Sequence, residues 1–295
     1  MHPLTRLRAH VGGRPLVLDG GLATEIERRG TSIAGALWSA RALLEAPQVV
    51  RQVHVDYLQA GADIVSTATY QAAATLLEAA GVDPAELLAR GVALAREARE
   101  QAGRPSALVA ASMGPYGAHL ADGSEYRGDY GVSDQVIREH HLRQATLLWR
   151  AGPDLLAFET VPSRREGELI AEVLAELGHP PAWLSFSVRD ARHLSAGDDL
   201  AEALAALAPM IGAVGLNCAA PELLAEAPLG GVGERLVYAN SGEYWSAEAR
   251  VWSGDRAARP YASWAAAWRA AGATVLGGCC RTTPEDIAAL VGALA

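Results

Sequence analysis

The chain has 295 residues, half of them hydrophobic, and carries 25 basic against 34 acidic side chains for a formal charge of −9. That suffices for one large core, while the acidic balance without any basic run excludes a nucleic-acid surface. All 25 basic residues are arginine, which excludes Schiff-base chemistry, lysine-anchored pyridoxal phosphate and a P-loop lysine together.

In chain order, Pro15–Leu18 reads as a first buried strand, followed at Gly20-Gly21-Leu22 by the opening of a helical stretch. A helix over Pro47–Gln59 leads to strand Asp63–Thr67, and helix Pro84–Gln101 to strand Ala107–Ser112. Helix Ser133–Arg150 precedes strand Asp154–Phe158, and helix Arg164–Leu177 precedes strand Ala182–Ser187. Helix Leu200–Ala208, strands Ala213–Asn217 and Arg235–Ala239, helix Arg256–Ala270, strand Thr274–Gly277 and helix Pro284–Leu294 complete the series. The strands are continuous apolar runs, as expected for parallel strands covered on both faces. Several helices open at Pro, Ser or Asp and close at Gly. Eight strands alternating with helices over about 250–300 residues predict a single-domain (β/α)₈ barrel spanning 1–295. An open doubly wound sheet is the rival, weakened by the lack of Gly-x-Gly-x-x-Gly after a strand.

Two polar, Gly-rich stretches, Gly114–Gly131 and Asn240–Asp255, follow strands and belong on the C-terminal face of such a barrel. No run reaches the ~18 apolar residues of a membrane span. Met1 to Arg14 lacks the apolar segment of a secretory signal. Three cysteines, an odd number, make a poor disulfide framework and fit free thiols in a reducing cytoplasm.

Those cysteines sit at strand ends: Cys218 after Gly215-Leu216-Asn217, and Cys279-Cys280 after Gly277-Gly278. On one rim, three thiolates with an open fourth position suit a catalytic zinc site. Simple packing and a strained redox pair are the alternatives. His140-His141 reads as a solvated helix face, and His54 as structural.

The motifs Asp19-Gly20-Gly21-Leu22-Ala23-Thr24-Glu25, Gly114-Pro115-Tyr116-Gly117-Ala118, Leu120-Ala121-Asp122-Gly123-Ser124-Glu125-Tyr126-Arg127-Gly128-Asp129-Tyr130, Phe158-Glu159-Thr160, Gly215-Leu216-Asn217-Cys218, Asn240-Ser241-Gly242-Glu243 and Gly277-Gly278-Cys279-Cys280-Arg281-Thr282-Thr283-Pro284 closely resemble the zinc-dependent homocysteine S-methyltransferase family. The resemblance runs from about residue 15 to the C-terminus. It implies a (β/α)₈ barrel with Zn²⁺ on Cys218, Cys279 and Cys280, and a substrate held by Asp19, Gly20, Gly21, Glu159 and Asn217. The implied reaction moves a methyl group from a cationic donor to the thiolate of L-homocysteine, giving L-methionine. The family's single-domain members with these loops point to S-methylmethionine as donor. S-adenosylmethionine, a selenol or other thiol acceptor, and a non-enzymatic zinc-binding or thiol-sensing barrel are the alternatives.

A thiol with a pKa near ~8.5 is mostly protonated at neutral pH, and zinc deprotonates it. Asp19 and Glu159, at strand ends, suit the homocysteine ammonium. The N–H groups of Gly20-Gly21-Leu22 suit its carboxylate. A helix N-cap is the other reading of Asp19, and a carboxylate paired with arginine the other reading of Glu159. Aromatic side chains and carboxylates suit a cationic donor. Tyr116, Tyr126, Tyr130, Tyr244, Trp245, Asp122, Glu125 and Glu243 in the two loops are candidates collectively. Ala68 stands where many members have Asn, which removes any polar contact from that position, and Ala219 stands where Thr is common, a milder departure. The acidic, loop-rich rim is compatible with a monomer.

Overall fold

The computed structural model describes residues 1–33, 38–120, 122–231, 233–246, 251–253 and 259–295, with backbone alone at 38–39, 244–246 and 251–253. Eight parallel strands form the central sheet: β1 Leu16–Val17, β2 Ile64–Ser66, β3 Leu108–Met113, β4 Leu155–Val161, β5 Ala182–Phe186, β6 Ala213–Asn217, β7 Glu234–Ala239 and β8 Val275–Gly278. Each pairs with its chain neighbours, and β8 pairs with β1. A parallel bridge from Leu18 to Ile64 joins β1 to β2 and closes the ring. The expected (β/α)₈ barrel is therefore the observed fold.

Alternation along the strands separates two cores. Val17, Val65, Val109, Leu156, Phe158, Leu184, Val214, Val237 and Leu276 face the surrounding helices. Leu16, Leu18, Ile64, Leu108, Leu155, Trp183, Leu236 and Val275 fill the barrel interior. The N-terminal helix Pro3–His10, which lacks a sequence signal strong enough to be expected, plugs the lower end with Leu4 and Leu7. Its N-cap His2 places Nε2 2.9 Å from the Ala182 carbonyl at the start of β5.

The long helices follow their start signals closely. Pro84–Gln101 opens with Asp83, whose carboxylate accepts the Ala85 N–H at 2.8 Å. Pro284–Leu294 opens on a capping box of Thr283 and Asp286. The helix expected over Arg256–Ala270 is shorter: a 3₁₀ turn at Tyr261–Trp264 runs into Ala265–Ala270, and residues 256–258 lie outside the described residues. The Asn240–Asp255 stretch is not all loop, since Tyr244–Ser246 and Val251–Ser253 pair as an antiparallel hairpin. Its Tyr244 and Trp245 side chains, expected near a donor, lie outside the described residues.

His140-His141 is not a solvated face. His141 is buried, with Nε2 2.8 Å from Glu166 Oε1, and the His140 ring stacks on His119. His54 is structural, as expected: it is fully buried, neither ring nitrogen has a hydrogen-bond partner, and burial lowers its pKa to about 4.

Candidate metal centre and substrate pocket

Strand order explains how distant cysteines meet. β6 and β8 both flank β7, with Asn217 beside Tyr238 and Gly278 beside Ala239 in register. Cys218 and Cys279 each follow one residue later, on either side of the end of β7. Neighbouring strands are about 4.8 Å apart, so side chains must lean across β7 to touch. They do: Cys280 Sγ lies 4.0 Å from both Cys218 Sγ and Cys279 Sγ, and all three sulfurs fall within 4.8 Å of one another. None forms a disulfide.

The backbone is shaped for this convergence. Cys218 has φ +53° and Arg281 φ +62°, in the left-handed region that costs a non-glycine residue of order 1–3 kcal/mol. Asn240, just past β7, clamps both flanks: its carbonyl oxygen Oδ1 accepts the Cys280 N–H at 3.1 Å, and its own N–H donates to Ala219 at 2.9 Å. Gly277 and Gly278 are needed for close approach: a Cβ on Gly277 would sit 2.5 Å from Leu18 Cβ, and one on Gly278 2.1 Å from Thr282 Oγ1.

Hydrogen bonds from Cys279 and Cys280, then from Tyr126 and Asn240, hold the Cys218 thiol well below the usual range. Its interactions with the other two thiols push Cys279 and Cys280 up. The Tyr126 hydroxyl lies 3.3 Å from Cys218 Sγ.

Below the sulfurs, inward-facing strand positions turn polar. Glu159 follows Leu155 and Ala157 on the inner face of β4. It lies where the β4–β5 register shifts, next to Thr160 at φ +63°. Its carboxylate accepts the Ser112 hydroxyl, and burial raises its pKa to about 7 despite that bond and one from Tyr238. Among the described residues no arginine pairs with it. Asp19 is 2 % exposed and accepts the Ser66 N–H at 2.8 Å. It caps no helix, and burial pushes it well above the carboxylate range, with Glu159 adding to the shift.

Other expected residues serve the frame. The Gly21 N–H donates to Thr282 at both its carbonyl oxygen (3.2 Å) and its hydroxyl (3.1 Å), so it is already committed within the fold. Gly20 and Gly21 let this turn touch Tyr57, Thr282 and the Cys279 carbonyl. The Asn217 carboxamide braces the left-handed Thr160 from both ends, accepting its N–H at 2.9 Å and donating to its hydroxyl at 2.9 Å. Ala68 is buried.

Sequence reasoning missed Glu166. Its buried carboxylate accepts the Tyr116 N–H at 2.6 Å and the Tyr130 hydroxyl at 2.6 Å, and meets His141 at 2.8 Å. It therefore ties both ends of the Gly114–Gly131 loop to the helix Arg164–Glu176, and that loop carries Glu125 and Tyr126 to the cysteines. Its sequence position, on the first turn of a helix after Ser163, signals only a capping-box residue.

A closed (β/α)₈ barrel with a three-thiol cluster and buried acids at its C-terminal rim defines a class of barrel enzyme with a site able to hold a metal ion. The homocysteine S-methyltransferase family profile matches residues 16–294, and the chain belongs to that family. It is 47% identical over 291 residues to homocysteine S-methyltransferase of Escherichia coli (strain K12), covering 93% of this chain and 94% of that one. It is 39% identical to selenocysteine Se-methyltransferase of Brassica oleracea var. italica, covering 98% and 91%. The crystal structure of the metallated form of the homocysteine methyltransferase MmuM from Escherichia coli superposes with a TM-score of 0.85 at 43% identity, covering 97% and 99% of the two chains.

Proposed function

We propose that this protein transfers a methyl group from a sulfonium donor, S-methylmethionine, to the sulfur of L-homocysteine, with zinc on Cys218, Cys279 and Cys280. The observation that carries the reading is the sulfur cluster. Zinc–sulfur bonds of about 2.3 Å place tetrahedral sulfurs about 3.8 Å apart, and two of the three pairs here are 4.0 Å apart. Three soft ligands from the protein leave one direction open for a substrate sulfur. The relatives' names and the metallated relative support the same reading.

Zinc bound there supplies one thing, a substrate sulfur kept as thiolate at neutral pH. The chain's own residues do the rest. Asp19 and Glu159 are both buried, within electrostatic reach of each other, and offer acceptors to the homocysteine ammonium. An arriving cation favours their ionised forms and so reverses the effect of burial. Asn217 and Thr160 stiffen the strand end that presents Glu159. The thiol proton leaves to solvent. The sulfur then forms a bond to the methyl carbon while the donor's carbon–sulfur bond breaks, releasing a neutral thioether. No carbon acid is involved, so positioning carries much of the rate.

The named selenocysteine relative favours one second reading, a selenol acceptor in the same site. Methionine formation by purified, zinc-assayed protein with S-methylmethionine or S-adenosylmethionine tests the main reading. A fully metallated protein that methylates a selenol but not homocysteine supports the second. No product from any pair contradicts both. Among the described residues no helix is long and apolar enough to cross a membrane, and the free thiols fit a reducing compartment such as the cytoplasm.

A further inference from the structure

We infer that the Glu125 carboxylate is the counter-charge for the positive centre of the methyl donor. The inference rests on the proposed reaction and adds to it a specific donor-binding residue. Asp122, Glu125 and Glu243 are the rim-loop acids named above as donor candidates, and their surroundings separate them. Asp122 is exposed, accepts the Ser124 N–H at 2.9 Å and lies 4.0 Å from Arg127. Glu243 accepts the Ser241 hydroxyl at 2.7 Å and pairs with Arg281 at 2.8 Å. Glu125 is largely buried, and no described residue donates a hydrogen bond or offers a cation to its carboxylate.

A partly buried carboxylate with no partner is costly, and a protein keeps one where a ligand completes it. The segment holding Glu125 cannot easily turn it back to water. Ser124–Tyr126 is a 3₁₀ turn, Gly128 N–H closes it onto the Ser124 carbonyl at 2.8 Å, and a Cβ on Gly117 would lie 2.5 Å from the Glu125 nitrogen. Glu166 anchors the loop on both sides.

The position also suits the donor rather than the acceptor. Glu159 lies on β4 and Asp19 just past the end of β1, whereas Glu125 stands on the rim loop beside Tyr126, whose hydroxyl lies 3.3 Å from Cys218 Sγ, and within electrostatic reach of Cys218 and Tyr70. An aromatic pair beside a carboxylate is an environment for a sulfonium or quaternary ammonium ion. Arg127, the nearest cation in sequence, turns away to Asp129 at 3.1 Å.

This placement predicts a specific kinetic split. The donor's positive charge is whole in the ground state and disappears as the methyl group leaves. A carboxylate beside it therefore strengthens donor binding more than it stabilises the transition state. Glu125→Gln should raise the KM for S-methylmethionine about tenfold or more, with kcat equal to or above wild type and homocysteine KM and zinc content within about threefold of wild type. Glu125→Asp, which keeps the charge, should recover most of the donor affinity, and calorimetric titration with S-methylmethionine should follow the same order. An active wild type with unchanged donor KM in Glu125→Gln would overturn the inference, as would equal losses in Gln and Asp variants. A wild type inactive with every cationic donor would instead overturn the proposed reaction.

Discussion

Buried acids at the lower end of the barrel differ from those at the upper end in one respect: their partners. At the lower end Asp63 meets Arg14 at 2.7 Å and Arg104 at 3.5 Å, and Glu234 meets Arg8 at 3.1 Å. Bonds from Thr274, Thr5 and Arg8 outweigh the burial of Glu234 and lower its pKa. At the upper end Asp19, Glu159 and Glu125 have no arginine among the described residues, and burial raises all three. The lower acids tie strand starts to the plug and loops. In the proposed reaction the upper acids receive the cations of the two substrates. In a (β/α)₈ barrel the two rims divide stability from catalysis in this way.

Substitutions can break that contrast, and the largest effect belongs to the upper rim. Cys279→Ala should abolish tight zinc binding and lower methyl transfer roughly a thousandfold or more, the scale of several kcal/mol from a metal ion. Metal analysis and initial rates check it. Leu4→Ala should do the reverse. Opening a cavity in the plug costs about 2–5 kcal/mol of stability, read by denaturant unfolding, with kcat of the folded protein unchanged.

Glu166→Ala should come next. It strands the Tyr116 N–H, the Tyr130 hydroxyl and His141, at about 1–3 kcal/mol. Its specific signature is faster proteolysis within residues 114–131 and a raised donor KM. The smallest effect concerns pH. Burial lifts the Glu159 carboxyl from its ordinary 4.5 to about 7, so the folded metal-free protein binds this proton more tightly. Its contribution to stability is full below about pH 4.5 and is lost as pH rises through 7. Glu159→Gln should flatten that part of the stability–pH curve in metal-free protein, measured as melting temperature at pH 5 and pH 8.

Much of this was legible before any coordinates. Strands buried on both faces leave continuous apolar runs, and all eight stood out. The long helices carried Pro, Asp and Thr start signals. Helices of six to eight residues, such as Pro3–His10, Trp38–Glu45 and Pro221–Glu226, are too short for a clear period. The cysteines were legible because strand ends converge on one rim. Glu166 and His141 were not, because 25 residues separate them and only the packing of two helices joins them. Nor does sequence separate Glu125 from Asp122 and Glu243: all three are acids in Gly-rich loops, and what distinguishes Glu125 is that no described residue donates to it or pairs with it.

X-ray absorption at the zinc edge tests the central claim most directly, because it counts sulfur neighbours without relying on turnover. The zinc-loaded protein should show three sulfur ligands alone and four after homocysteine is added. Three ligands from the protein that stay three with homocysteine present, or fewer than three at the outset, would contradict the account.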